Sequence, residues 1–166
     1  MPHDHEQCIN KALRRADAIC SRRGVRLTPL RRQVLQLLWT DHCAVKAYDL
    51  LDALKELAPA AKPTTIYRSL EFLLEQGLIH RIESLNAYVG CDHAEQEHDK
   101  LFLICDRCHK VEERIAEEVM RAVAEETAGA GFVPAHQTLE IHGVCTACRF
   151  RQRSNRKRSS KPSATD

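Results

Sequence analysis

Two CxxC pairs constrain this 166-residue chain more than any other feature: Cys105-Asp-Arg-Cys108 and Cys145-Thr-Ala-Cys148, with residues 109–144 between them. Two residues between sulfurs let one tight turn aim both thiolates at a single point. Two such turns make a tetrahedral four-sulfur cage, the geometry of structural zinc. One CxxC alone is also a redox motif. Two of them, each beside a strand-like run (101–104 and 138–141), point to a metal. Rubredoxin-like iron and disulfides are the alternatives. The cage is coordinatively full, so it staples a fold and leaves no open position for catalysis.

Length and charge narrow the classes further. A chain of this size makes one or two small domains. Met1-Pro-His-Asp-His-Glu is polar from the start and no long apolar run follows, which predicts a cytoplasmic protein with no signal peptide and no membrane partner. In a reducing compartment eight cysteines read as thiols and metal ligands rather than disulfides. The net charge of +2 hides an asymmetry: residues 1–90 carry 13 Lys/Arg against 10 Asp/Glu, residues 91–148 carry 5 against 12, and residues 149–166 carry 7 against 1. The acidic, Cys/His-rich middle suits cations, and the basic ends suit a polyanion. Residues 149–166 read as a disordered basic tail.

Residues 6–90 read as four helices and a hairpin. Ile9, Leu13, Ala16 and Cys20 share one face of a helix over 6–22, ended by Gly24, with Cys8 and Cys20 as core or partly buried thiols. Thr28-Pro29 is an N-cap followed by proline at N1. It starts a second helix with Leu30, Val34, Leu37 and Leu38 as its stripe and His42 and Cys43 at its end. A third helix over 47–57 turns Ala47, Leu50, Leu51, Leu54 and Leu57 inward and leaves Tyr48 off that face. The fourth runs from Pro63 to Gln76 with Gly77 as cap and Ile66, Leu70, Leu73 and Leu74 buried. Phe72 lies off that stripe, and the pattern gives it no place. Arg68 lies almost opposite the stripe and must face out. Alternating segments 78–83 and 87–90, joined at 84–86, make the hairpin.

Helices followed by a hairpin suggest a winged helix whose recognition helix is the fourth. There Arg68 is placed for guanine O6/N7, Thr65 and Tyr67 for phosphate or a base edge, and Lys62 for phosphate. The alternative is a plain helical bundle with Arg68 as surface charge.

The runs Arg26-Leu-Thr-Pro-Leu-Arg-Arg-Gln-Val-Leu, Lys62-Pro-Thr-Thr-Ile-Tyr-Arg-Ser-Leu-Glu-Phe-Leu and Gly77-Leu-Ile-His resemble the ferric uptake regulator (Fur) family. The two CxxC pairs and Gly131-Phe-Val-Pro-Ala-His-Gln-Thr-Leu-Glu-Ile-His-Gly-Val-Cys extend the match over residues 8–148. Ile82-Glu-Ser-Leu-Asn-Ala-Tyr-Val-Gly-Cys looks like the zinc uptake regulator (Zur) branch. The resemblance implies a dimeric, metal-responsive repressor that binds double-stranded DNA at a palindromic operator and represses zinc-uptake genes. It implies that Arg68 and Tyr48 contact bases, that Tyr67 and Thr65 lie near the backbone, and that Cys105, Cys108, Cys145 and Cys148 are the structural zinc site.

The expected class is therefore α+β. A winged-helix DNA-binding domain (1–90) precedes an α/β dimerisation domain (91–148) with a four-cysteine zinc site. Residues 101–148 read as strand, knuckle, strand, helix (116–128), strand and knuckle, with Ile115, Val119 and Val123 as the helix's apolar face. About 60 residues bury too little surface to be secure alone, and the cage and a dimer partner make up the deficit.

A sensor needs a site that fills and empties. The resemblance implies that His80, Cys91, His98 and Glu113 form it. One thiolate, two imidazoles and a carboxylate suit Zn²⁺, giving at least two zinc ions per protomer. His93 could replace His98, and Glu112 competes with Glu113. A possible third site uses Asp99, Glu118 and His136, although Lys100 stands where a ligand is usual. His109 and His142 flank the cage. Iron or peroxide sensing by the same family is the alternative, against which the soft Cys91 argues. No small-molecule substrate and no enzyme activity are expected. His93-Ala-Glu95 fits half of a zinc deaminase motif, but no proline precedes either CxxC.

Overall fold

The computed structural model describes residues 5–41, 43–94, 100–135 and 137–151. Four helices come first: α1 (His5–Arg22), α2 (Pro29–Leu38), α3 (Ala47–Leu57) and α4 (Pro63–Glu75). Thr28 caps α2 by accepting from Arg31 N at 3.4 Å, with Pro29 at the first position. Pro63 likewise stands at the start of α4, though its N-cap Lys62 makes no side-chain bond, and Gly77, at φ +67°, closes the helix in a left-handed conformation that any side chain would strain. The predicted stripes meet in one core: Ala16, Ile19 and Cys20 of α1, Val34, Leu35 and Leu38 of α2, Leu50, Leu51 and Leu54 of α3, and Ile66, Leu70 and Leu73 of α4. Each leucine so buried contributes about 2 kcal/mol of transfer free energy.

Some local details differ from the pattern or complete it. Leu57, expected inward, is 59 % exposed because the last turn of α3 overhangs the core. Phe72 is buried, and the Arg31 guanidinium lies 3.6 Å from its ring centroid. Arg31 thus roofs an aromatic side chain that the α4 stripe alone does not place. The second helix stops at Leu38, so Cys43 lies in the linker beyond it, bridged antiparallel to Lys110.

Strands β1 (Ile79–Ile82) and β2 (Ala87–Gly90) form the hairpin, with His80 opposite Val89. The first strand is shorter than expected because Glu83 enters a 3-10 turn (Glu83–Leu85), completed by Asn86 at φ 47°. A second sheet follows in the order β4-β3-β5. Strand β3 (Lys100–Cys105) pairs antiparallel with β4 (Val111–Arg114) and parallel with β5 (Thr138–Gly143), and α5 (Glu117–Gly129) spans the crossover. A helical segment over 146–151 ends the described chain.

The hairpin lies on this sheet. Ile82 and Val89 form a second buried cluster with Phe102, Ile104 and Val111. Strand alternation turns Leu103 and Ile141 to the other face, where both are exposed. Ile115 and Val119 are exposed too, while Met120 supplies the buried side of α5. Glu113 on β4 and Glu140 on β5 both pair with Phe102, so the side chains of this rung share the hairpin-facing side of the sheet.

Candidate metal centres and nucleic-acid surface

The sulfurs of Cys105, Cys108, Cys145 and Cys148 lie within 4.8 Å of one another, and all eight cysteines are free thiols. Cys108 and Cys145, from different knuckles, approach to 3.8 Å. The turns are held by backbone: His109 N to Cys105 O at 2.9 Å, Asp106 N to Gly143 O at 2.8 Å, and Cys145 N to Cys105 Sγ at 3.3 Å. N–H groups of Cys145, Cys108 and Arg107 hold the Cys105 thiol down at about 6. Hydrogen bonding to Cys145, burial and the neighbouring sulfurs push Cys148 up to about 12. Four sulfurs in one place cannot all be anionic without a cation, and a divalent soft-site ion removes that conflict. The donor set fits zinc.

The second cluster joins the two halves of the chain. His80 sits on β1, Cys91 follows β2, and Glu113 sits on β4, their ligand atoms again within 4.8 Å. Glu113 Oε1 lies 2.8 Å from His80 Nε2, and both side chains are buried, Glu113 only 3 % and His80 5 % exposed. The other Glu113 oxygen accepts from Asp92 N at 3.0 Å. Glu112 faces away and pairs with Arg114 at 3.0 Å. The His80 ring packs on Phe102, centroids 5.2 Å apart. Cys91 is pinned by its N–H to Leu78 O at 3.0 Å. Burial, then the Glu113 charge, push its thiol up to about 12 despite an N–H from His93. A buried thiol beside a buried carboxylate is an environment short of positive charge. The set of thiolate, imidazole and carboxylate is borderline-soft and fits Zn²⁺.

Among the described residues the His93 ring does not join this cluster. His98 lies outside the described residues, as do Asp99 and His136 of the possible third site. Glu118 stands exposed in the first turn of α5 and belongs to neither described cluster.

Of the residues expected at DNA, Thr65 and Arg68 line one groove, while Tyr48, Lys62 and Tyr67 are exposed on α3, before α4 and on α4. Tyr48 is 69 % exposed, Tyr67 53 %, Lys62 and Arg68 are exposed, and Thr65 is half-buried. Thr28, Leu30, Arg31, Thr64, Thr65 and Arg68 line a groove between the starts of α2 and α4. Two helix N-termini and two guanidinium groups make its rim favourable to phosphate.

Sequence reasoning missed a third set of contacts. Glu140 accepts from Glu83 N at 2.8 Å and Ser84 N at 3.1 Å. His142 bridges Ser84 Oγ at 2.9 Å and Asp106 Oδ1 at 2.8 Å. Arg15 of α1 donates to the Asp92 carbonyl beside Cys91. The alternation of 138–143 could have placed Glu140 and His142 on one face, but not their partner.

Known proteins resemble this chain at several levels. A zinc uptake regulation protein of Escherichia coli (strain K12) is 48 % identical over 137 residues, 82 % of this chain and 80 % of that protein. A zinc uptake regulator solved in complex with zinc and DNA superposes with TM-score 0.83 at 45 % identity, over 87 % of this chain and 97 % of that one. A crystal structure of apo XcZur reaches only 0.51 at 42 % identity, over 85 % of this chain and 97 % of that one. The model of the ferric uptake regulator family matches residues 22–142, and the chain belongs to that family.

Proposed function

We infer that this protein is a zinc-responsive, DNA-binding transcriptional repressor that acts as a homodimer and represses genes for zinc uptake. It is a regulator rather than an enzyme. The observation that carries the reading is the hinge cluster: His80 comes from the wing, Cys91 directly follows the wing's second strand, and Glu113 comes from the sheet that carries the cage. His98 is the fourth ligand, and Cys105, Cys108, Cys145 and Cys148 hold a second, structural zinc. The working division is residues 1–90 for reading DNA, 91–148 for metal and dimer contacts, and a basic tail over 149–166 that adds salt-sensitive affinity. Among the described residues no helix is long and apolar enough to cross a membrane, and the protein works in the cytoplasm, beside its DNA.

Zinc bound at the hinge supplies the positive charge that lets Cys91 ionise beside Glu113. The chain's own groups do the rest. Glu113 orients His80 through its 2.8 Å contact and holds the Cys91 turn through Asp92 N. Phe102 backs the imidazole. Fixing His80 and Cys91 against Glu113 fixes the angle between the halves, and in a dimer that angle sets the spacing of two recognition helices on a duplex. Moving a population from 1:99 to 99:1 needs about 5.5 kcal/mol of differential binding, within the range of a multi-ligand zinc site. Arg68 and Tyr48 read bases, while Lys62, Thr65 and Tyr67 position the backbone. A buried thiol in the quartet disfavours the ferrous alternative.

The test is operator binding by wild-type and Cys91→Ser protein across a buffered zinc series. The variant should need at least about 100-fold more zinc, an order set by loss of a ligand. A wild-type response in the variant would sink the reading.

A further inference from the structure

We propose that Glu140, assisted by His142, is a positioning residue: a second, metal-independent grip that holds the wing turn on the C-terminal sheet and sets how much zinc the hinge requires. The proposal rests on the zinc-responsive reading above.

One rung of the sheet carries both grips. Phe102, fully buried, is flanked by Glu113 on β4 and Glu140 on β5, all facing the hairpin. The two carboxylates take opposite ends of that hairpin. Glu113 holds the open end, at His80 and Asp92 N. Glu140 holds the closed end, where one oxygen accepts from Glu83 N at 2.8 Å and the other from Ser84 N at 3.1 Å. Glu83 and Ser84 begin the 3-10 turn, whose first N–H groups have no partner within the turn. A carboxylate on two successive N–H groups is a charge-assisted, directional contact. Burial raises the Glu140 carboxyl, but hydrogen bonds from Ser84 and Glu83 and the nearby His142 more than offset it, leaving it below its ordinary value.

His142 lies one same-face position further along β5. Its ring links Ser84 Oγ to Asp106, the residue after Cys105. The wing turn is therefore tied to the first knuckle, and the knuckle to β5 through Asp106 N to Gly143 O. Ala44 N donates to His109 O at 3.2 Å from the other side. The cage thus holds the surface on which the wing rests. The Glu140 contacts and the His142–Ser84 contact run between the wing turn and β5, so they act on how the hairpin sits on the sheet. A contact made only in that arrangement lowers the differential binding zinc must supply, and removing it raises the zinc needed.

The experiment compares full-length wild type, Glu140→Ala, Glu140→Gln and Ser84→Ala. Operator binding is titrated against buffered zinc, and cage zinc, dimer content and amide exchange at Glu83 and Ser84 are measured on the same samples. Glu140→Ala should need about tenfold more zinc for half-saturation, the size of one charge-assisted contact at a partly exposed site. Glu140→Gln should need less than that, and Ser84→Ala about twofold more than wild type. Exchange at Glu83 and Ser84 should quicken in Glu140→Ala with cage zinc and dimer unchanged. A purely local role predicts a lower thermal midpoint with the zinc half-point unmoved, and that result overturns the proposal, as does unchanged exchange. If Glu140→Ala yields no folded dimer, the Gln and Ser84 variants decide by the same two readouts. A wild type without zinc dependence would instead overturn the functional reading, visible before any variant is compared.

Discussion

The cage and the hinge cluster differ in where their donors come from, and on the reading proposed above they do opposite work. All four cage sulfurs come from two knuckles at one end of a single sheet, at the ends of β3 and β5. An ion there closes a unit on itself. The hinge takes His80 from the hairpin, Cys91 from the residue that follows it and Glu113 from the second sheet. An ion there joins units that are each already packed. Ligand origin, more than ligand type, decides whether a metal stabilises a fold or selects an arrangement. The N–H groups around Cys105 prepare the cage for an anion. Among the described residues Cys91 has one such N–H, from His93, and its thiol is pushed up by burial and by Glu113.

The largest effect that tests this contrast is loss of a cage ligand. Cys145→Ser removes a sulfur and also disturbs the second knuckle, which touches the first at 3.3 and 3.8 Å. Structural zinc of this type contributes on the order of 10 kcal/mol to folding. The variant should lose cage zinc and the folded dimer, read by metal content, circular dichroism and sedimentation. Cys91→Ser, by contrast, should leave the fold and the cage zinc intact. A Cys145→Ser protein that stays a folded dimer would break the distinction.

That contrast also explains what is legible in the sequence. The CxxC pairs are local, so their spacing alone announces the cage. Helix stripes are local too, and α2, α3 and α4 begin where Pro29, Ala47 and Pro63 suggest. Leu57 departs from its stripe because periodicity cannot see where a core ends. Phe72 has no place in the pattern because its partner, Arg31, belongs to another helix. His80, Cys91 and Glu113 are brought together only by the hairpin lying on the sheet. No spacing rule for one element contains that, so a family resemblance had to supply them. Glu140 and His142 escape for the same reason: their partners Glu83 and Ser84 are 57 and 58 residues away along the chain.

A smaller effect probes the scaffold of the hinge. Gly90 immediately precedes Cys91, and a Cβ there would lie 2.4 Å from the indole of Trp39, itself buried. The glycine is present because the backbone must pass the ring at contact distance. Gly90→Ala should destabilise by about 1–3 kcal/mol, the range for forced overpacking, and should displace Cys91. Urea unfolding reads the first effect, and zinc competition the second. An alanine variant with wild-type stability and affinity would show that the indole can yield, and that hinge geometry does not depend on this approach.

The finest effect is a proton. Because burial and the Glu113 charge push the Cys91 thiol up to about 12, it is protonated throughout the neutral range in the zinc-free protein. Zinc must displace that proton to gain a thiolate. The sign follows: raising the pH lowers the cost of removing the proton, so zinc binds more tightly. Well below the thiol's pKa one displaced proton contributes about a tenfold gain in affinity per pH unit, about 1.4 kcal/mol. Competition against a chelator between about pH 6.5 and 8 reads the total slope of log affinity against pH. Cys91→Ser should lower that slope by about one while lowering affinity at every pH, because serine is not ionised in either state. Cys105, held down at about 6, is already largely ionised in this range, so cage and hinge should differ in how many protons their first sulfur releases. A slope unchanged by Cys91→Ser would mean that the thiol is ionised before zinc arrives, and the hinge would then be prepared for its ion as the cage is.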